Sequence, residues 1–136
     1  MRNYLIIVFL AAAFVFPCVA CAGAIDGSSP CLCAITKIIE CDSQGDCQEI
    51  LPEAVNLPTF IEVDVKEKVL REFNTPDSKT SAIKRVEMAD SQLILQGAEN
   101  QRVWSMMVTS ETGKMSASVS GEDYGFLLFG ACTVLP

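Results

Sequence analysis

The feature that most constrains the fold is a rapid succession of short strand-like segments over residues 83–134. Each segment alternates apolar and polar side chains or is apolar throughout, and a short polar turn separates it from the next. Such patterns are typical of β-strands, and short turns join neighbouring antiparallel strands. The predicted strands are "IKRVEM", "LILQGA", "RVWSMMVTS", "KMSASVS" and "FLLFGACTVL". Because the last segment is apolar on both faces, we expect it to be a central or closing strand.

Further strands are predicted nearer the start of the chain. In "CAITKIIEC" (33–41), strict alternation would place Ile35, Lys37 and Ile39 on one face together with both terminal cysteines. In "TFIEVDV" (59–65), apolar and acidic residues alternate in the same way. Both patterns indicate half-buried strands, and "KVLREF" (68–73) follows as the next one.

Residues 48–58 are a predicted loop with room for one helical turn, because Pro52 and Pro58 interrupt them, and residues 74–82 are a predicted loop because they are polar and contain proline. No helix of appreciable length is predicted after residue 24. The sequence therefore predicts an all-β fold, an antiparallel meander of about seven or eight strands that closes into a small lipocalin-like barrel. A β-sandwich is the alternative; closure is favoured because it removes exposed strand edges.

The first 24 residues have the layout of a secretory signal peptide. Arg2 precedes an uncharged apolar run, and small residues follow it. The run is shorter than the ~20 apolar residues that span a bilayer. We therefore expect cleavage near residues 22–24, a single β domain at 25–136, and a periplasmic or secreted protein without a transmembrane span. Lipidation at Cys21, which would anchor the mature chain, is the alternative.

Disulfide bonds are expected to stabilise the exported domain. Those that remain after residue 24 are Cys31, Cys33, Cys41, Cys47 and Cys132. Exported cysteines usually form disulfides. Cys41 and Cys47 flank the turn-forming stretch "DSQGD" and can pair locally, whereas Cys132 is expected to pair with Cys33 or Cys31. Cys31 is the expected spare thiol, either free or linking two chains into a dimer. The sequence has no histidine, and no Cys-x-x-Cys pair remains after residue 24, which argues against zinc and redox chemistry.

The exported chain is acidic. Loss of Arg2 reduces the ten basic residues to nine against 17 acidic ones, which gives a net charge of −8. Nucleic-acid phosphates and anionic lipid surfaces both attract clustered cations. The composition therefore argues against nucleic acid as a partner. No metal site and no cofactor are expected.

Several segments together resemble a group of small exported proteins of Gram-negative bacteria. The similar segments are the cysteine spacing at 33–47, "LPTFIEVD" (57–64), "LILQGAENQRVWSM" (93–106), "GKMSASVSG" (113–121) and the terminal "FGAC" (129–132). The resemblance covers nearly all of the mature chain. It implies an envelope or secreted bacterial protein with a cysteine-stapled β domain, and it carries over no catalytic residue.

Without histidine, the candidates for acid–base chemistry are pairs of carboxylates. Glu62 and Asp64 share one face of a predicted strand, and Glu122 and Asp123 are adjacent in a predicted turn. Glycosidases use two carboxyl groups that face each other across a cleft. Alternating acids on a strand more often form its solvated side. We therefore predict no catalytic residues and a protein that is not an enzyme.

The candidate ligand pocket is an apolar row on two of the predicted strands. Its residues are Trp104, Met106, Val108, Phe126 and Leu128. In a small barrel such a row is usually core, although an enlarged barrel holds a ligand there. The sequence thus leaves two functions open. The first is a non-enzymatic, partner-binding or structural protein of the envelope, and the second is a lipocalin-like carrier of a small hydrophobic ligand.

Overall fold

The computed structural model describes residues 23–136. The signal peptide predicted at 1–24, including the alternative lipidation site at Cys21, lies almost entirely outside the described residues. Residues 23–136 form nine strands and one short 3-10 helix: β1 Cys31–Asp42, β2 Cys47–Ile50, η1 Pro52–Val55, β3 Phe60–Asp64, β4 Val69–Glu72, β5 Thr80–Ala89, β6 Gln92–Glu99, β7 Arg102–Thr109, β8 Lys114–Ser120 and β9 Tyr124–Val134.

Eight of the strands close into an antiparallel barrel. Strands β3 to β9 pair in sequence order, and β9 then pairs with β1 from Cys31↔Val134 to Asp42↔Tyr124. The other edge of β1 is shared, because β3 pairs with its first part and β2 with its second. The prediction of an all-β barrel is confirmed, with β9 as its closing strand and β2 as an additional ninth strand.

Two register shifts bend the barrel wall. One lies in β1 between Ile35 and Lys37, and the other lies in β5 between Ile83 and Arg85. Each extra residue reverses which positions face inward, and bulges of this kind help a sheet to curl. The predicted single face of β1 is therefore wrong. Ile35 faces the core, whereas Lys37 and Ile39 face outward.

The interior is filled by apolar side chains from every long strand. Buried residues are Ile25, Cys31, Cys33, Ile35, Ile38, Val63, Ile83, Leu93, Leu95, Met106, Val108, Met115, Phe126 and Leu128. Ile25 comes from the segment before β1, where its N–H donates to the Ser110 carbonyl at 3.0 Å. This contact places the segment against the turn between β7 and β8, so that Ile25 helps to cover this end of the barrel.

Tight turns join the long hairpins. Asp90 and Ser91, between β5 and β6, both have positive φ angles, as do Asn100 and Gln101 between β6 and β7. Two-residue hairpin turns need this backbone because its twist matches that of the flanking strands. Asparagine and aspartate tolerate positive φ, which explains their place at the first position of each turn.

Both predicted loops are shorter than the sequence indicated. Within the predicted loop 48–58, Gln48–Ile50 belong to β2, and the helix η1 follows. Within 74–82, Thr80–Ala82 begin β5 and pair with Val69–Arg71. Short polar strands carry no apolar alternation, so their pairing depends on a neighbour that the local sequence does not reveal.

The pairing between β4 and β5 is short. It ends at Val69↔Ala82, after which the Ile83 N–H donates to the Lys68 carbonyl at 2.8 Å. Beyond this point Lys84 is the extra residue of the bulge, residues 85–89 pair with β6 on one side, and in the described part of the chain no strand pairs with their other side. We call residues 84–89 the open edge of β5.

Candidate functional site

Both predicted disulfides join directly opposed residues. Cys33 and Cys132 are cross-strand partners on β1 and β9, with 4.0 Å between their Cα atoms. Cys41 and Cys47 are partners on β1 and β2, with 4.1 Å between their Cα atoms. The long-range bridge therefore lies at the seam where the barrel closes, and the short bridge holds the β1–β2 hairpin. Of the two expected partners of Cys132, the structure pairs it with Cys33, and among residues 23–136 Cys31 is the cysteine without a disulfide.

The spare thiol of Cys31 lies inside the barrel beside the seam disulfide. Its side chain is 2% exposed, and its sulfur lies within 4.8 Å of the sulfurs of Cys33 and Cys132. Burial raises the pKa of the Cys31 thiol to about 11, so it stays protonated at neutral pH. With the other two sulfurs bonded to each other, this cluster offers a metal a single thiol. The burial also blocks the suggested dimer link through Cys31 in this conformation.

The five residues of the candidate pocket come together on the inner face. Met106 pairs with Ala117, which pairs with Leu128, and Trp104 connects to Phe126 through Val119 in the same way. Since β8 lies between β7 and β9, these four residues form two layers across three strands, and Val108 lies in the next layer, paired with Met115. Met106, Val108, Phe126 and Leu128 are all buried, and Trp104 is half-buried nearer the end of the barrel. The row that the sequence singled out thus forms part of the filled core.

Trp104 is fixed by two residues that the sequence analysis did not single out. Its indole Nε1 donates a hydrogen bond to Ser81 Oγ at 3.0 Å. Its ring covers Gly97, where an added Cβ would lie 2.4 Å from the indole. The isolated glycine inside a predicted strand was the available signal, because it marks a close approach. Ser81 lay in a predicted loop, and nothing in the local sequence connects it to Trp104.

An aromatic pair continues the inner surface toward the same end. Tyr124 and Phe126 meet edge to face with ring centroids 5.2 Å apart. The Arg102 guanidinium lies 5.4 Å from the centroid of the Tyr124 ring, within the range of a cation–π contact. Phe126 and Arg102 therefore both contact Tyr124 at this end of the core.

The two carboxylate pairs occupy different surroundings. Arg71 contacts Glu62 at 2.6 Å and Asp64 at 3.5 Å, and the Glu62 hydrogen bond raises the pKa of the Arg71 guanidinium. Asp64 also accepts the Glu67 N–H at 3.0 Å, so it holds the β3–β4 turn. This group is therefore a structural ion cluster. Glu122 and Asp123 lie exposed in the β8–β9 turn, away from that cluster.

Alternate residues of β6 to β9 form an outer surface on which Lys114, the exposed first residue of β8, is the one charged side chain. Cross-strand register connects them without interruption from β6 to β9. We call this surface without Lys114 the uncharged face; its residues are Ile94, Gln96, Ala98, Val103, Ser105, Met107, Ser116, Ser118, Ser120, Leu127 and Phe129. Its large apolar members are exposed by 58% at Val103, 42% at Met107, 46% at Leu127 and 41% at Phe129. Lys114 borders this face at the start of β8, so a chain with a net charge of −7 keeps one broad side free of acidic groups.

Two shallow depressions open on the outside of the barrel. The first has a volume of about 290 Å³ and lies on the uncharged face, between β6 and β8, where Val103 and three serines line it. The second, of about 250 Å³, lies beside the β4–β5 loop and the Arg71 ion cluster. The barrel thus combines a filled interior with a shaped outer surface.

Comparisons with protein-family models, with curated proteins and with solved structures find no match. Within residues 23–136, no helix has the length and apolar character needed to cross a membrane. The most extensive feature that the fold assembles from separate strands is the uncharged face above a packed core.

Proposed function

We propose that this protein is an exported, non-enzymatic binding module that engages a protein partner through the uncharged face. The observation that carries this proposal is the exposure of four large apolar side chains on one uncharged side of an acidic protein. Single exposed apolar residues are ordinary, but a contiguous patch usually marks an interaction site. Centres of protein interfaces are also poor in charge and rich in methionine and aromatic residues.

The shape of the uncharged face fits a protein surface. Val103 and Met107 lie on one strand and Leu127 and Phe129 on another, with the small serines of β8 between them. A partner's side chains can enter the depression above those serines, while the serine hydroxyls supply hydrogen bonds. The pairing of four long strands holds the face rigid, so binding costs little ordering. The partner suited to it is an apolar, largely uncharged protein surface.

Export supports the same proposal from a separate direction. Two disulfides in one small domain suit an oxidising compartment. The predicted signal peptide and the resemblance to exported bacterial proteins lead to the same compartment. We therefore assign the module to the periplasm or the secreted fraction.

Site-specific photo-crosslinking in the native envelope tests the proposal. A photoreactive residue at Met107 is expected to yield an adduct with a heterologous protein, and one at Glu72 on β4 is expected to yield none. The adduct should be lost with Leu127→Glu, which places a charge at the centre of the face. Leu51→Glu is the matched control, because Leu51 is 72% exposed outside the face. Equal adducts in both glutamate variants would contradict the proposal.

The competing function is the lipocalin-like carrier, with which the barrel fold is compatible. A carrier would bind its ligand among Trp104, Met106 and Phe126. The tight burial of Met106 and Phe126 favours the binding module over the carrier.

A further inference from the structure

Two features of the open edge of β5 make it available for pairing with another strand. Within residues 23–136 its backbone is unpaired on one side, and its inward-facing side chains are exposed. Val86 pairs with Leu95 and Met88 with Leu93, so Val86 and Met88 face the interior. Their partners are 0% and 1% exposed, whereas Val86 is 39% and Met88 is 47% exposed. The barrel wall is therefore incomplete on this side, and one added strand would cover both residues.

The charged side chains of the open edge determine which strand can pair with it. On the outward side, Arg85 and Glu87 alternate and form an ion pair with each other at 2.9 Å. In an antiparallel pairing of this segment with a second copy of itself, Val86 at the centre places Arg85 opposite Glu87 of the second copy, twice by symmetry. If the pairing were centred on Arg85 or on Glu87 instead, that residue would lie opposite the same residue of the second copy, and the like charges would repel each other. The sequence Arg85-Val86-Glu87 is therefore self-complementary in one register.

We propose that the open edge of β5 is a self-association site, at which two copies of this chain pair antiparallel about Val86. The contact is isologous, as a two-fold dimer requires. The paired strands would satisfy the free backbone groups of both edges, set Val86 against Val86 of the second copy on the inner side, and place Met88 diagonal to that pair, opposite Lys84 of the second copy. Opposed Arg85 and Glu87 would fix the register on the outer side.

The local charge also permits the approach of two acidic molecules. Within the open edge, Lys84 and Arg85 outweigh Glu87, although the whole chain has a net charge of −7. Lys68 lies beside the start of the edge, where its carbonyl accepts the Ile83 N–H. Mutual repulsion is therefore weakest at this side of the barrel.

The opposing explanation is that Lys84 and the bulge protect the edge from association. Natural edge strands often use lysine and bulges for this purpose. The bulge, however, precedes Arg85, so the segment beyond it remains regular and available for pairing. A contact of one short strand buries little area. We therefore expect a dimer dissociation constant on the order of tens of micromolar.

Sedimentation velocity of the exported protein over a concentration series tests this proposal. Wild-type protein should dimerise. Arg85→Glu and Glu87→Arg should each weaken the dimer about ten-fold or more, because each puts like charges opposite one another twice. The double swap R85E/E87R recreates both attractive pairs and should restore the affinity to within about three-fold. Lys37→Glu is the control, because it disrupts a comparable exposed ion pair with Glu49, 3.1 Å apart, elsewhere on the barrel.

Three results of the sedimentation experiment would overturn the proposal. They are a wild-type protein that stays monomeric up to about 1 mM, single variants that dimerise as well as wild type, and a swap that does not recover. Amide hydrogen exchange identifies the occupant, since protection of residues 85–89 should rise with protein concentration. Protection at every concentration would mean that another segment of the chain fills the edge. Leu127→Glu should leave the dimer unchanged, which separates this result from the test of the uncharged face.

Discussion

Cys31 shows how a single side chain is constrained by where the strand places it. The residue alternates inward with Cys33, so it is forced into the core next to a disulfide. A thiol is small and apolar enough to be buried there, provided that it stays protonated. Its chemistry is therefore suppressed by its position, although an oxidised pair of sulfurs lies within 4.8 Å.

The buried thiol should make stability depend on pH above 9. The pKa of the Cys31 thiol is raised by burial from 9.0 to about 11, so the folded state holds a proton that the unfolded state releases. Stability from this group is complete below pH 9 and falls as the pH rises toward 11, by roughly 1.4 kcal/mol per pH unit. Denaturant unfolding between pH 8 and about 10.5 should show this slope in wild type and lack it in Cys31→Ala. Parallel curves for the two proteins would contradict the assignment.

At the scale of elements, the seam between β1 and β9 is the critical contact of the fold. It joins the beginning of the domain to its end, and the Cys33–Cys132 bridge closes a loop with a sequence separation of 99. The Cys41–Cys47 bridge closes a loop with a separation of 6. Closing a longer loop removes more conformational entropy from the unfolded chain. The Cys33–Cys132 disulfide should therefore stabilise the fold more than the Cys41–Cys47 disulfide does.

Removing the seam disulfide should therefore destabilise the protein most. Cys132→Ser is expected to lower the free energy of unfolding by about 4–5 kcal/mol, against about 2 kcal/mol for the double variant Cys41→Ala/Cys47→Ala. Cys31→Ala, which leaves both bridges intact, should cost about 1 kcal/mol. Thermal and denaturant unfolding measure all three. Equal melting temperatures for Cys132→Ser and Cys31→Ala would show that the bridge does not stabilise the seam.

The sequence was informative wherever alternation or cysteine spacing carried the signal. Strands β7 to β9 follow from their apolar periodicity, and closure was expected because it removes exposed strand edges. Strand β2 was missed because a short polar segment pairs only through its neighbour. The reversal of β1 at Thr36 was missed because a bulge depends on the register of both strands.

Neither proposed surface could be predicted from local sequence patterns, because each depends on how neighbouring strands pair. The alternating serines at 116, 118 and 120 are visible in the sequence of β8. That the adjoining strands also lack outward charges became evident only from their register. The open edge of β5 arises from a mismatch in length between β4 and β5, which no single strand encodes.

At the scale of the whole molecule, charge divides the barrel into two sides. Six of the nine basic residues after residue 24 lie within residues 66–85, on β4, on β5 and in the connections beside them. The uncharged face lies on β6 to β9. A heterologous partner on one side and a second copy on the other would not compete, so a dimer would present two uncharged faces. Such bivalence strengthens binding to a partner that itself has several sites.

The filled interior gives the last prediction, which decides between binding module and carrier. Protein purified from its own envelope fraction should have the same mass in native and in denatured mass spectrometry for each monomer, because Leu95, Val108 and Ile38 at 0% exposure leave no room among them.

Leu95→Ala serves as the positive control for that measurement. The substitution opens an apolar cavity in the core, and cavities of this kind take up small apolar molecules such as benzene. The variant should therefore bind benzene where wild type does not, at a cost of about 2–5 kcal/mol in stability. Extra mass on the native wild-type protein that disappears on denaturation would instead show that the barrel opens around a ligand. In that case Trp104, held at the end of the core by Ser81, is the residue whose fluorescence should respond to ligand release.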